Sequence, residues 1–294
     1  MLRLLAALAL QALIAAGCAG APPAPHRPHP ETWPPDGLGL GYIGHATVLL
    51  EIDGTFILTD PAFFDRVGPA IGSLTVGPTR VVAPALPLAA LPPPAVVVIT
   101  HAHYDSLDLP SLWALPKHAT LVGPTGCSDL LGGLGFDRYV ELAWGERTTV
   151  DGLTIEAIPV NHWGKRLPWG RDRGYNGYLF EKGGFRVVFA SDTAYTPDFT
   201  RFRREGPPLD LILLGIGAYD PWVRHHANPE QAWRMFVESG AVWLAPVHWD
   251  TFRLGHEAIG EAIARLRAAA GPAVERIVID EVGGEWRLPE DGAR

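Results

Sequence analysis

The segment that most constrains this chain is Thr100-His101-Ala102-His103-Tyr104-Asp105-Ser106-Leu107-Asp108, which follows directly on Ala95-Val96-Val97-Val98-Ile99. The apolar run is β-branched, short and uncharged, so it reads as a strand buried on both faces. Where it ends, two imidazoles and a carboxylate occupy alternate positions. In extended backbone, residues two apart point to the same side, so His101, His103 and Asp105 can converge on one point. Neutral imidazoles with a carboxylate are a donor set for a zinc-type ion.

Three more apolar runs finish in the same way. Residues 155–160 lead into Asn161-His162-Trp163, 187–190 into Ser191-Asp192-Thr193, and 242–247 into His248-Trp249-Asp250. Loops at strand ends diverge and leave room for a site, so this clustering of His and Asp points to one centre. Further strands are expected at 48–52 and 55–58, joined by an Asp53-Gly54 hairpin turn, and at 119–122, 177–181, 209–214 and 276–279. Helices are expected at 110–115, 228–239 and 256–270, the second with Asn228 as N-cap and Pro229 at its first position. Residues 62–94 are rich in Pro and Gly and read as loop. The sum is an α/β chain of two sheets covered by helices. His45, in Gly44-His45-Ala46-Thr47, either approaches the metal site or serves as a hydrogen-bonded structural histidine.

With 47% hydrophobic residues, the 294-residue chain can form a core. Its formal charge of −8 and lack of a basic run argue against a nucleic-acid partner. Met1-Leu2-Arg3 and the apolar stretch to Gly17 read as a secretory signal, too short to span a bilayer. Its end, Leu13-Ile14-Ala15-Ala16-Gly17-Cys18, resembles a bacterial lipoprotein signal, although Ala15 stands where Leu is usual. That resemblance implies cleavage before Cys18, a lipid on Cys18, and a membrane-anchored place in the bacterial cell envelope, on the periplasmic face or the cell surface. The expected layout is a signal peptide over 1–17, a Pro-rich tether over 18–37 and one catalytic domain over 38–290. Cys127 then has no cysteine to pair with and reads as a buried structural thiol.

The order His-x-His-x-Asp, His, Asp, His resembles the metallo-β-lactamase superfamily. The closer likeness is to its branch of N-acylphosphatidylethanolamine-hydrolysing phospholipase D and ascorbate-phosphate lactonases. Gly41-Tyr42-Ile43-Gly44-His45-Ala46-Thr47, Leu58-Thr59-Asp60-Pro61, Ile216-Gly217-Ala218-Tyr219, His226-Ala227-Asn228-Pro229-Glu230 and His248-Trp249-Asp250-Thr251-Phe252 carry it together with the central motif. The resemblance implies a single-domain αββα sandwich with two zinc ions between the sheets. His101, His103 and His162 would hold one; Asp105 and His248 would hold the second; Asp192 would bridge them. This chain departs from the family's His-x-His-x-Asp-His by having Ser106 in the last place, which leaves the second ion less well provided for.

The implied activity is metal-assisted hydrolysis, with Asp105 orienting the nucleophile and His226 acting as acid or as stabiliser of developing charge. The branch implies a phosphodiester or a lactone as substrate, and an amide is a further alternative. Trp163, Tyr219 and Arg224 lie in the motif loops and are candidates to bind a small-molecule or lipid substrate. Solvated charge and ordinary core packing are the competing readings of such residues. A non-catalytic envelope lipoprotein with a degenerate centre is the alternative from another class, and Ser106 is the residue in its favour.

Overall fold

The chain is described by a computed structural model over residues 20–71 and 74–289; the candidate signal and Cys18 lie outside the described residues. The strands are β1 (Leu38–Gly44), β2 (Thr47–Ile52), β3 (Thr55–Thr59), β4 (Ala70–Ile71), β5 (Leu74–Thr75), β6 (Val96–Val98), β7 (Thr120–Pro124) and β8 (Arg138–Leu142). They continue with β9 (Arg147–Val150), β10 (Leu153–Ile158), β11 (Gly177–Lys182), β12 (Phe185–Ser191), β13 (Leu211–Gly215), β14 (Trp243–Val247) and β15 (Glu285–Arg287). The α-helices are α1 (Leu109–Ala114), α2 (Ser128–Leu131), α3 (Pro229–Ser239) and α4 (Glu261–Ala270).

Two large sheets result, in the orders β15-β1-β2-β3-β6-β7-β8 and β14-β13-β12-β11-β10-β9, with β4 and β5 as a separate pair. Alternation along the strands decides what each sheet face meets. Val96 and Val98 belong to the main core with Leu40, Leu50, Phe180, Phe189 and Leu213 of the two sheets. Val97, between them, joins Leu49, Leu58 and Leu121 in a second core closed by Leu112, Leu115 and Leu131. A strand buried on both faces cannot afford polar residues, which is why the run is all valine. On the far side, Ala232, Met235 and Phe236 of α3 and Leu266 of α4 complete the main core. The result is a single-domain sandwich of two sheets between helices, the expected α/β class.

Local chemistry explains the joints. Asp53 and Gly54 both have positive φ (47° and 78°), the turn that matches the twist of the β2–β3 hairpin. Helix α3 starts on a capping box between Asn228 and Gln231 and stops at Gly240, which adopts the left-handed conformation. Cys127 is buried at the start of α2, and burial pushes its thiol up to about 11.

Three expectations need correction. No strand spans 276–279: the chain continues past α4 in a 3-10 turn (Gly271–Arg276), and only Ile277 bridges to Leu244. The last strand is instead Glu285–Arg287 on the edge of the first sheet, too short and polar to show a period. Helix α4 begins at Glu261 rather than 256, because Gly260 before it sits at φ 82°. The Pro-rich stretch, expected as a tether, packs against the domain over its described part. Pro28 and Pro30 are buried, the Pro22 carbonyl accepts from Ala83 N (2.7 Å), and the Trp33 ring meets Phe56 at 6.2 Å. Proline's fixed φ lets such a segment lie along a surface at low entropic cost. Among the described residues, no helix is long and apolar enough to cross a membrane.

Candidate metal centre

The centre forms where β6, β10, β12 and β14 end, facing the β1–β2 turn and the loop that follows β13. Parallel pairing of β6 with its neighbours, and of β12, β13 and β14, brings their C-terminal ends to one rim. One ligand atom from each of His101, His103, His162 and Asp192 lies within 4.8 Å of the others. His45, Asp105 and His248 form a second such group, and Asp192, His226 and His248 a third. Asp192 Oδ2 is 3.5 Å from His101 Nε2 and 3.2 Å from His248 Nε2, so this carboxylate touches both sides of the centre.

The three imidazoles of the first group turn nitrogens on one another. His103 Nδ1 lies 2.8 Å from His101 Nε2 and 3.2 Å from His162 Nε2. Their outer nitrogens explain the orientation. His101 Nδ1 faces Thr100 Oγ1 at 2.9 Å, and the Thr100 hydroxyl donates to Asp60 Oδ2 at 2.6 Å. His162 Nδ1 lies 2.9 Å from the His225 carbonyl, an acceptor that requires the proton on Nδ1 and leaves the Nε2 lone pair inward. Ser191 also donates to Asp60, yet burial still pushes that carboxyl up to about 8.

Electrostatics favour a cation. Burial holds His162 down at about 4 and His226 at about 3, while His101 lies well below the usual histidine range, so these rings are neutral at pH 7. Asp105 and Asp192 stay ionised: burial works against the charge, but His248 and the surrounding imidazoles outweigh it. Burial likewise opposes charge on His248, and the Asp192 and Asp105 carboxylates override it, raising that ring to about 10. Two buried anions against one protonated ring, His248, and otherwise neutral imidazoles leave a net negative site that draws in positive charge.

Orphaned atoms test whether a metal fits. Both oxygens of Asp192 are buried without a hydrogen-bond partner, and Oδ2 faces only the ring nitrogens of His248, His101 and His162 at 3.2, 3.5 and 3.9 Å. An ionised carboxylate left so is costly unless a cation satisfies it. The donor set of imidazoles and carboxylates suits zinc and other borderline divalent ions, and the two groups have room in their chemistry for two of them.

Backbone strain gathers here too. His45, Asp60, Ser191 and His248 have φ of 61°, 33°, 49° and 62°, a region L-residues rarely adopt. Gly217 comes so close to the His248 backbone that a Cβ would overlap its carbonyl oxygen.

The centre opens into a cleft of about 630 Å³ lined by Val67, Pro69, Val76, Tyr104, Trp163 and Trp222, with Asp105, Asp192, His225 and His226 among its polar groups. Of the candidate substrate-binding residues, Trp163 lines this cleft. Arg224 is exposed in the turn before it and outside the lining. Tyr219 is buried, with its hydroxyl donating to Glu261 at 2.8 Å, and is also outside the lining. His226 is half-buried in the cleft wall, and His225 is exposed. Arg166 reaches the cleft but donates to the carbonyls of Ala102 and Leu107 and stacks 3.9 Å above Tyr104. The wall formed by Val67, Pro69 and Val76 was not read from sequence, because an isolated Pro/Gly-rich loop carries no period.

Comparison with known proteins agrees with this geometry. An uncharacterized protein of Mycobacterium tuberculosis is 42% identical over 243 residues, covering 80% of this chain and 64% of that protein. The chain thus spans less than two thirds of that relative's length. The N-acyl-phosphatidylethanolamine-hydrolyzing phospholipase D 1 of Caenorhabditis elegans is 31% identical, covering 74% of this chain and 65% of the relative. In fold, the chain resembles an isothiocyanate hydrolase from Delia radicum gut bacteria, with a TM-score of 0.67 at 21% identity over 84% of this chain and 98% of that one. The family model of the beta-lactamase superfamily domain matches residues 55–249, and this chain, with its paired sheets and strand-end His/Asp centre, belongs to that superfamily and has the metallo-β-lactamase fold.

Proposed function

We propose that the chain is a zinc-dependent phosphodiesterase of the N-acylphosphatidylethanolamine phospholipase D type, acting on a substrate with an apolar part. The observation that carries this reading is a His/Asp centre at the base of a cleft walled by Val67, Pro69, Val76, Trp163 and Trp222. Such a wall favours acyl chains over a polar sugar or peptide. Relatives named for hydrolysis of N-acyl-phosphatidylethanolamine, from Caenorhabditis elegans and Saccharomyces cerevisiae at 31% and 30% identity, support it.

Bound zinc would supply Lewis acidity and a hydroxide from water at neutral pH. His101, His103, His162 and Asp192 would hold the first ion, and Asp105, His248 and the shared Asp192 the second. Asp105, with Oδ2 3.0 Å from His45 Nε2 and 3.2 Å from His248 Nε2, is fixed in direction and can orient the attacking water. His226 is kept neutral by burial, which suits it to donate an N–H hydrogen bond to charge developing on phosphate oxygens rather than to act as a strong acid. Trp163, its ring 4.5 Å from His103, would position the substrate beside the first group. An anchor at Cys18, supported by the sequence of residues 1–18 alone, would hold the enzyme at the envelope membrane where lipid substrates lie.

The test is hydrolysis of mixed micelles containing N-acylphosphatidylethanolamine, beside a simple aryl phosphodiester and an acyl lactone. Release of phosphatidic acid, lost on chelation and restored by zinc, is the expected result. Lactone opening without phosphodiester cleavage would move the chain to the lactonase reading.

A further inference from the structure

Ser106 stands where the superfamily pattern supplies a histidine, yet its side chain is fully buried and its hydroxyl has no hydrogen-bond partner. A serine hydroxyl is a poor ligand for a zinc-type ion at neutral pH, so Ser106 is no equivalent of the imidazole. His45 comes from the β1–β2 turn, 60 residues upstream of Asp105. We propose that His45 supplies the imidazole missing at position 106 and ligates the second ion with Asp105 and His248.

The geometry points at that role from several sides. His45 is buried, its Nε2 is 3.0 Å from Asp105 Oδ2, and its ring centre lies 4.1 Å from that of His248. Both of its backbone groups are tied to the loop after β14. The His45 N–H donates to Thr251 Oγ1 at 2.7 Å, and its carbonyl accepts from His248 N at 2.8 Å. The Phe252 ring stands edge-on at 5.2 Å and closes the outer side. The imidazole is thus held rigidly against the two other members of its group, as a ligand must be. His226 is the other histidine near His248, but it is half-buried in the cleft wall and free to meet substrate.

The rival role for His45 is that of a hydrogen-bond donor to Asp105, outside the coordination shell. Glutamine separates the two, because it can still donate to a carboxylate but is a poor ligand for zinc. The experiment is zinc titration with plasma mass spectrometry of the folded protein, comparing wild type, His45→Gln, His45→Ala and Ser106→Ala. The inference rests on a two-ion centre and not on the substrate, so it can fail while the phosphodiesterase reading stands.

Two ions in wild type and Ser106→Ala, with one in both His45 variants, is the expected result. The second ion's affinity should drop more than about 100-fold, beyond what loss of an outer partner costs. Equal second-ion affinity in His45→Gln and wild type, or a single ion in wild type, would overturn it. Should the His45 variants not fold, the cobalt-loaded wild type decides by NMR. A large through-bond contact shift of the His45 ring N–H, matching that of the coordinated His248 ring, supports ligation, and only the smaller through-space shift of an outer ring refutes it.

Discussion

The two halves of the centre are built differently. The group of His101, His103 and His162 is made of neutral rings, two of which have their outer nitrogens set by Thr100 and the His225 carbonyl. The group of His45, Asp105 and His248 has two carboxylates at hand and a histidine raised to about 10. One half resembles a rigid cup of lone pairs. The other is a charged pocket in which a proton competes with the metal. Two sites sharing Asp192 can therefore load with different strength and different pH dependence.

The largest test of the difference removes what the halves share. Asp192→Ala should empty both and lower hydrolysis by more than the about 10²–10³-fold that loss of one charge-stabilising group costs. Metal analysis beside turnover measures it, and retention of either ion would show that the halves are independent. His101→Ala should then empty the first half alone, leaving one ion per chain on the Asp105 side.

Acidity separates the halves next. To ligate through Nε2, His248 must give up the proton that its raised value holds, so metal affinity of that half should rise by about tenfold per pH unit below 10. His162, held at about 4, is already neutral above pH 6 and releases nothing. Chelator competition between about pH 6 and pH 9 should show one steep and one flat site. Thr100→Val removes the acceptor for His101 Nδ1 and should weaken the first half by about 10–100-fold. Smallest of all, Ser106→Ala deletes a buried, unpartnered hydroxyl and should shift thermal stability by less than about 1 kcal/mol, read from a melting curve.

Much of the first half is legible in the sequence, because His101, His103, His162 and Asp192 each follow an apolar run whose period marks it as a strand. The same rule reaches Asp105 and His248. It does not settle His45, whose place depends on how the β1–β2 turn packs against the loop after β14, a contact between residues more than 200 positions apart. Tyr219 shows the opposite failure: a motif loop suggested substrate contact, yet the ring packs in the core with its hydroxyl on Glu261. β15 is not legible in the sequence because Glu285-Trp286-Arg287 has no apolar alternation; its register comes from pairing with β1. The composition of the Pro-rich stretch reports its stiffness, while its docking depends on the surface it meets.

The most direct measurement is the metal content of the purified chain after zinc loading and desalting. Two ions per chain, with the more weakly held one lost first as pH falls, is the expected result. A chain that folds normally and retains no zinc would contradict the two-part centre and the hydrolase built on it.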